Sequence, residues 1–234
     1  MVSSRRPGGE VSARPLHFLW IADCSGSMGV DGKIQALNQA IREAIPHMRE
    51  VADENPQAQV LVRAVRFSDV ASWHMPHPVP VEQFGWKDLE AGGTTAMGEA
   101  LKLVADQLRI PPMAERALPP VLVLISDGQP TDDFEGGLRA LLDLPWGKKA
   151  VRIAIAIGED ADREVLARFV NNPEIPVLQA NNPEALKKHI RWVSTVVVRT
   201  TSSPPSQVGG GASSATNVPI PQPVSGPDDA KKVW

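Results

Sequence analysis

The chain has 234 residues, of which 42% are hydrophobic and 22% charged, and a formal net charge of −3. This composition suits one globular domain of about 180 residues with flexible ends. The charge leaves no electrostatic footprint for nucleic acid or anionic lipid. The single cysteine, Cys24, excludes an internal disulfide and fits a reducing compartment. Met1 to Arg14 is polar, without the apolar centre of a signal peptide, and no segment approaches the roughly 20 apolar residues of a membrane span. A cytoplasmic location with no membrane partner is the expectation.

In chain order, Leu16 to Asp23 reads as a buried strand. Lys33 to Asn55 follows, with Ile34, Leu37, Ile41, Ile45, Met48 and Val51 at spacings of three and four. That spacing predicts an amphipathic helix, kinked or broken at Pro46. Gln59 to Phe67 predicts a second strand, and Trp73 to Val81, with three prolines, only a short edge strand. A helix from Ala96 to about Arg109 buries Met97, Leu101, Val104 and Leu108. The run Val121 to Ser126 is a further buried strand, Asp133 to Asp143 a helix, and Val151 to Ile157 a strand. Asp132 and Asp133 read as capping or solvated acids, Asp133 at the N-cap position, with an extended metal site as the alternative. Ala161 to Val170 predicts a helix, Val177 to Leu178 a short strand, and Pro183 to Val198 the last helix. Six strands interleaved with helices imply a doubly wound, mostly parallel α/β sheet with helices on both faces. Residues 1–14 and 199–234 read as flexible segments flanking a domain at 15–198. The second is rich in Ser, Pro and Gly, and its end, Asp228 to Trp234, is either a solvated terminus or a short docking peptide.

The first strand ends in Asp23-Cys24-Ser25-Gly26-Ser27. An acid and two hydroxyls at alternate positions of an extended backbone project toward one point, and oxygen-only ligands suit a hard divalent cation such as Mg²⁺. One carboxylate is too few. The glycine turn Gly92-Gly93-Thr94-Thr95 brings hydroxyls into a helix, and Val121 to Ser126 leads into Asp127-Gly128. In a parallel sheet the loops at the carboxyl ends of the strands converge on one crevice, so three separated segments meet there.

This three-part pattern resembles the metal-ion-dependent adhesion site of the von Willebrand factor A domain family, over roughly residues 15 to 198. The motif Asp-x-Ser-x-Ser falls on Asp23, Ser25 and Ser27, its threonine most simply on Thr94 with Thr95 as a substitute, and its later aspartate on Asp127. The run Ser126 to Asp133, with Trp146-Gly147-Lys148-Lys149 after it, is similar to the bacterial subfamily beside tellurium-resistance and stress-response genes. The resemblance implies a non-catalytic module holding Mg²⁺, or Mn²⁺, and recognising a Glu or Asp of a protein partner. A PP2C-like phosphatase or a Ser/Thr kinase is the partner class it suggests.

Two other readings compete. A haloacid dehalogenase-type phosphatase also places an aspartate after its first parallel strand, but it needs a second acid two residues on, where this chain has Ser25. No lysine stands in an evident phosphate motif. A metal-free scaffold is the other reading, opposed by the complete set of five candidate ligands. Elsewhere Cys24 reads as a small buried side chain, and His74 and His77 as an exposed loop lacking further ligands for zinc. Trp20 and Trp192 read as core residues, whereas Trp86 and Trp146 fall in loops, by default partly buried against the domain and otherwise free for docking.

Overall fold

The structure, a computed structural model, describes residues 13–202, 226 and 231–234. Its scaffold is a sheet of β1 (Arg14–Asp23), β2 (Ala58–Phe67), β3 (Ala71–Trp73), β4 (Val79–Pro80), β5 (Val121–Ser126), β6 (Val151–Ile157) and β7 (Leu178–Ala180). The strand order is β3-β2-β1-β5-β6-β7, with β4 also pairing β2. All pairs are parallel except those of β3 and β4 with β2. The single edge strand expected over Trp73 to Val81 is thus two short pieces. Pro76 and Pro78 interrupt it, because proline cannot donate to a ladder.

Helices lie on both faces: α1 (Lys33–Asp53), α2 (Met97–Gln107), α3 (Phe134–Leu142), α4 (Pro145–Lys149), α5 (Arg163–Val170), α6 (Pro183–Trp192) and α7 (Val198–Ser202). Alternation along β1 divides the core. Leu16, Phe18, Trp20 and Ala22 pack with α1 and α6, while Leu19 and Ile21 pack with α2, α3 and α5. β5 and β6 are buried along their whole length, which is why they read as continuous apolar runs. The doubly wound α/β architecture expected from the sequence is therefore the observed one.

Helix α1 runs unbroken through Pro46. Pro46 lies on the exposed side, so the carbonyl of Arg42 that loses its amide partner faces water, and the buried stripe continues past it. At the other end of the domain, α6 passes through a π-helical turn at Val193–Val197 into α7, so helix extends to Ser202 rather than Val198. Residues 203–225 and 227–230 of the expected tail, and residues 1–12 of the expected N-terminal segment, lie outside the described residues. No described helix is long and apolar enough to cross a membrane.

The chain leaves β1 for β2 on one side, then crosses through α2 to β5 on the other. The strand order therefore reverses between β1 and β5. A crevice opens at the carboxyl ends of the strands at such a switch point, and Asp23 and Asp127 flank it.

Candidate metal centre

Asp23 closes β1 with its side chain inside the protein, 0% exposed. Its Oδ1 accepts from the Ser25 amide at 2.8 Å and its Oδ2 from the Ser126 hydroxyl at 2.5 Å. Burial pushes the Asp23 carboxyl above the ordinary carboxylate range, against the pull of the Ser126 and Ser25 hydrogen bonds, and the charge of Asp127 adds to the rise. The Asp23–Ser25 bond folds the chain into the short 3-10 turns of Gly26–Gly32, which carry Ser27. Ser25 Oγ and Ser27 Oγ lie 3.0 Å apart, and Ser27 Oγ donates to Asp127 Oδ1 at 2.7 Å. Four of the five residues expected from the sequence thus form one connected set.

The glycine loop is clipped onto this turn by two backbone bonds. The Gly26 amide donates to the Gly93 carbonyl at 3.0 Å, and the Gly92 amide to the Cys24 carbonyl at 2.8 Å. Gly93 has a φ of 79°, and a Cβ there would stand 2.6 Å from the Asp69 carboxylate, so this corner accepts only glycine. Beyond it the two threonines part. Thr94 is exposed, with its amide donating to Asp69 Oδ1 at 2.8 Å. Thr95 is buried and locked to Thr131: its amide donates to Thr131 Oγ1 at 3.0 Å and its carbonyl accepts from the Thr131 amide at 2.9 Å. Thr95 Oγ1 and Ser27 Oγ both lie 3.7 Å from the point a Cβ on Gly128 would occupy. The threonine turned into the site is therefore Thr95, not Thr94, because the left-handed Gly93 and the Thr131 bonds rotate the second hydroxyl inward.

Three further residues shape the site, and of these the sequence reading names only Asp132, for capping, solvation or an extended metal site. Lys33, the first residue of α1, places Nζ 2.8 Å from Asp127 Oδ2, with 8% and 0% of the two side chains exposed. Asp132 accepts from the amides of Gly98 and Glu99, both at 2.8 Å, and so caps α2 from the far side of the site. Ser126 anchors Asp23 as described. Of Lys33 and Ser126, which the sequence reading missed, only Lys33 left a signal, as a lone cation heading an apolar helical stripe. Asp133 caps α3, accepting from the Gly136 amide, as expected.

The donor set fits a hard divalent cation: two carboxylates and three hydroxyls at the mouth of a parallel sheet. Among the described residues no three His, Cys, Asp or Glu side chains gather as a metal cluster, so hydroxyls and water must supply most of such a shell. Both Asp127 oxygens are already engaged, one by Ser27 and one by the Lys33 ammonium, which sets a competing charge beside the candidate ligands. A cavity between α1 and α6, lined by Ala40, Ala44, His47, Lys187 and Arg191, contains none of these candidate ligands. Cys24 is 1% exposed, and burial first, then the Asp23 charge, pushes its thiol up to about 12, so it is an inert core residue. His74 binds the Lys87 carbonyl and rests on Trp86, while His77 is exposed. Trp86 donates to Asn38, and Trp146 is buried in α4, so neither is free for docking.

The von Willebrand factor type A domain model matches residues 20–191. No curated protein sequence matches the chain. Among solved structures it resembles the von Willebrand factor type A protein from Catenulispora acidiphila at 20% identity and a TM-score of 0.60, covering 79% of this chain and 42% of that one. The ArnB paralog VWA2 from Sulfolobus acidocaldarius follows at 20% identity and 0.57, covering 77% and 45%. Proximal thread matrix protein 1 from the mussel byssus, with a zinc-occupied MIDAS motif, is similar at 17% identity and 0.54, covering 79% and 46%. The chain spans less than half the length of these proteins. With a family model covering most of the domain and a matching fold, the chain belongs to the von Willebrand factor type A domain family.

Proposed function

We propose that the domain is a non-catalytic module that binds a protein partner through a divalent cation held by Asp23, Ser25, Ser27, Thr95 and Asp127. The observation that carries this is the convergence of three hydroxyls and only two carboxylates at the carboxyl ends of β1 and β5. A bound Mg²⁺ or Mn²⁺ would supply a Lewis-acidic position, under-neutralised by its hydroxyl ligands, to which a partner's Glu or Asp adds. Asp23 orients the turn through the Ser25 amide, and Ser126 fixes the Asp23 rotamer. Ser25, Ser27 and Thr95 contribute oxygens without charge. The zinc-occupied motif of the mussel protein supports metal binding at this place in the fold.

The narrower assignment, a stress-response or phospho-signalling assembly with a PP2C-like phosphatase or Ser/Thr kinase as partner, rests on the sequence runs Ser126 to Asp133 and Trp146 to Lys149, and a cytoplasmic location on the single cysteine and the polar Met1 to Arg14. A second reading gains one observation: a buried lysine, Lys33, lies beside the site, paired with Asp127, and a phosphatase of the haloacid dehalogenase type needs a cation for its phosphoryl oxygens. Against it, position 25 is a serine bonded to Ser27, so no acid stands there to protonate a leaving group. The experiment is a pull-down with the tagged chain in Mg²⁺ and in EDTA, with Asp23→Ala in parallel. Partner proteins lost in both EDTA and Asp23→Ala support the module. Retention in both contradicts it, and phosphomonoester turnover abolished by Asp23→Asn establishes the phosphatase instead.

A further inference from the structure

The segment Lys231–Trp234 is seated on the domain at the rim of the site. The amides of Val233 and Trp234 donate to the Asn181 carbonyl at 2.9 and 3.2 Å, and Asn182 Nδ2 donates to the Lys231 carbonyl at 2.5 Å. Lys232 pairs with Glu159, and the Trp234 indole N–H donates to the Asp31 carbonyl at 2.9 Å. Trp234 is half-buried against the core cluster of β1 and α1. Its partners come from three separate places: the turn that follows Ser27, the loop after β6, and the residues after β7. Asp31 is held left-handed at φ 50°, which turns its carbonyl outward to meet the indole. Gly158, at φ 78°, marks where the segment meets the site: the Trp234 Cβ lies 3.5 Å, and the Lys33 Nζ 3.4 Å, from where its Cβ would stand.

We propose that the groove bounded by the Asp31 turn, Gly158 and Asn181–Asn182 is a peptide-docking site whose occupant is the chain's own Lys231–Trp234, and that this segment occludes the cation face in cis. The inference rests on the proposed function for what it occludes, but not for the docking itself. The groove reads three features of its occupant: backbone amides through Asn181, a lysine through Glu159, and an indole through the Asp31 carbonyl and the apolar surface beneath it. Trp234 and the Lys33 ammonium border the same point, and Lys33 is bonded to Asp127. A partner centred on the cation with a standard footprint of roughly 800 Å² per side, a disc about 16 Å in radius, covers this rim. Such a partner displaces the segment, and competes against a tethered ligand whose effective concentration is on the order of millimolar.

The test uses the full chain, as wild type and as Trp234→Ala and Asn182→Ala variants, with the synthetic peptide Lys-Lys-Val-Trp as the probe. In wild type the Val233 and Trp234 amides exchange slowly, and in Trp234→Ala the position 233 amide exchanges at least about tenfold faster. The free peptide binds Trp234→Ala about tenfold more tightly than wild type, because the groove has been vacated, and combining Asn182→Ala with Trp234→Ala removes that gain. Equal exchange in wild type and Trp234→Ala, or equal peptide affinity for the two, overturns the docking site. Protection that rises with protein concentration assigns the contact to a second copy and overturns the cis arrangement. Mn²⁺ titration of the same samples separates the two levels: absent binding in every sample contradicts the cation module while leaving the groove intact.

Discussion

At the scale of single residues, cation binding turns on which side chains face the crevice. Thr95→Ala removes a hydroxyl that is buried and aimed at the Ser27 side of the site, whereas Thr94→Ala removes one that faces solvent. The rise in melting temperature with Mg²⁺, which reports ligand bound to the folded state only, is expected to vanish in Thr95→Ala and persist in Thr94→Ala. The reverse result would return the ligand to Thr94. Lys33→Met is expected to act in the opposite direction. It removes a positive charge 2.8 Å from Asp127 Oδ2 and frees that oxygen, so the variant melts lower without metal and shows a larger Mg²⁺-dependent rise than wild type. An unchanged rise would mean that Lys33 and the cation do not compete. The sequence showed the two threonines side by side. It could not show that a left-handed Gly93 and a reciprocal bond with Thr131 turn the second inward, since Thr131 is distant in the chain.

At the scale of elements, the alternation of apolar runs and amphipathic stretches made β1, β2, β5, β6 and the major helices legible, because each buries a face whose period is visible locally. What was illegible depends on contacts between elements. Pro46 reads as a break but sits on the exposed side of a helix held by its packed face. Asp132 reads as a capping or solvated acid, but the helix it caps, α2, lies more than thirty residues back in the chain, reached through the amides of Gly98 and Glu99. Asp132→Ala is expected to lower stability by about 1 kcal/mol, the usual cost of a lost cap, and to weaken Mg²⁺ binding, because the start of α2 follows closely on Thr95. Urea denaturation checks the first part, and a midpoint equal to wild type would contradict it. A docking peptide at Asp228 to Trp234 was one of two readings the sequence left open, but its seat on the chain's own domain was not legible, since the partners Asp31, Gly158 and Asn181 are scattered over three loops.

At the scale of the whole molecule, one parallel sheet serves both stability and site, and β1 carries both. His17 lies inside it, 5% exposed, and burial first, then the charge of Arg63, lowers its pKa from 6.5 to about 4. The unfolded chain takes up a proton there near pH 6.5 that the folded chain refuses until about pH 4. The stability from neutral His17 is therefore fully present above pH 6.5 and is lost as pH falls toward 4, at about 1.4 kcal/mol per pH unit inside that window. Denaturation at pH 7.5, 6 and 5 is expected to show a flatter acid decline for His17→Gln than for wild type, and parallel declines would contradict the assignment. Above all, the molecule is read as a scaffold that presents a cation to a partner, with Asp23 and Asp127 flanking the switch point between β1 and β5. Calorimetric titration of Mg²⁺ into wild type and into folded Asp23→Ala, Thr95→Ala and Asp127→Ala variants tests this most directly. Saturable binding in wild type that is lost in all three is the predicted result, and binding heats that do not differ between wild type and the variants would contradict it.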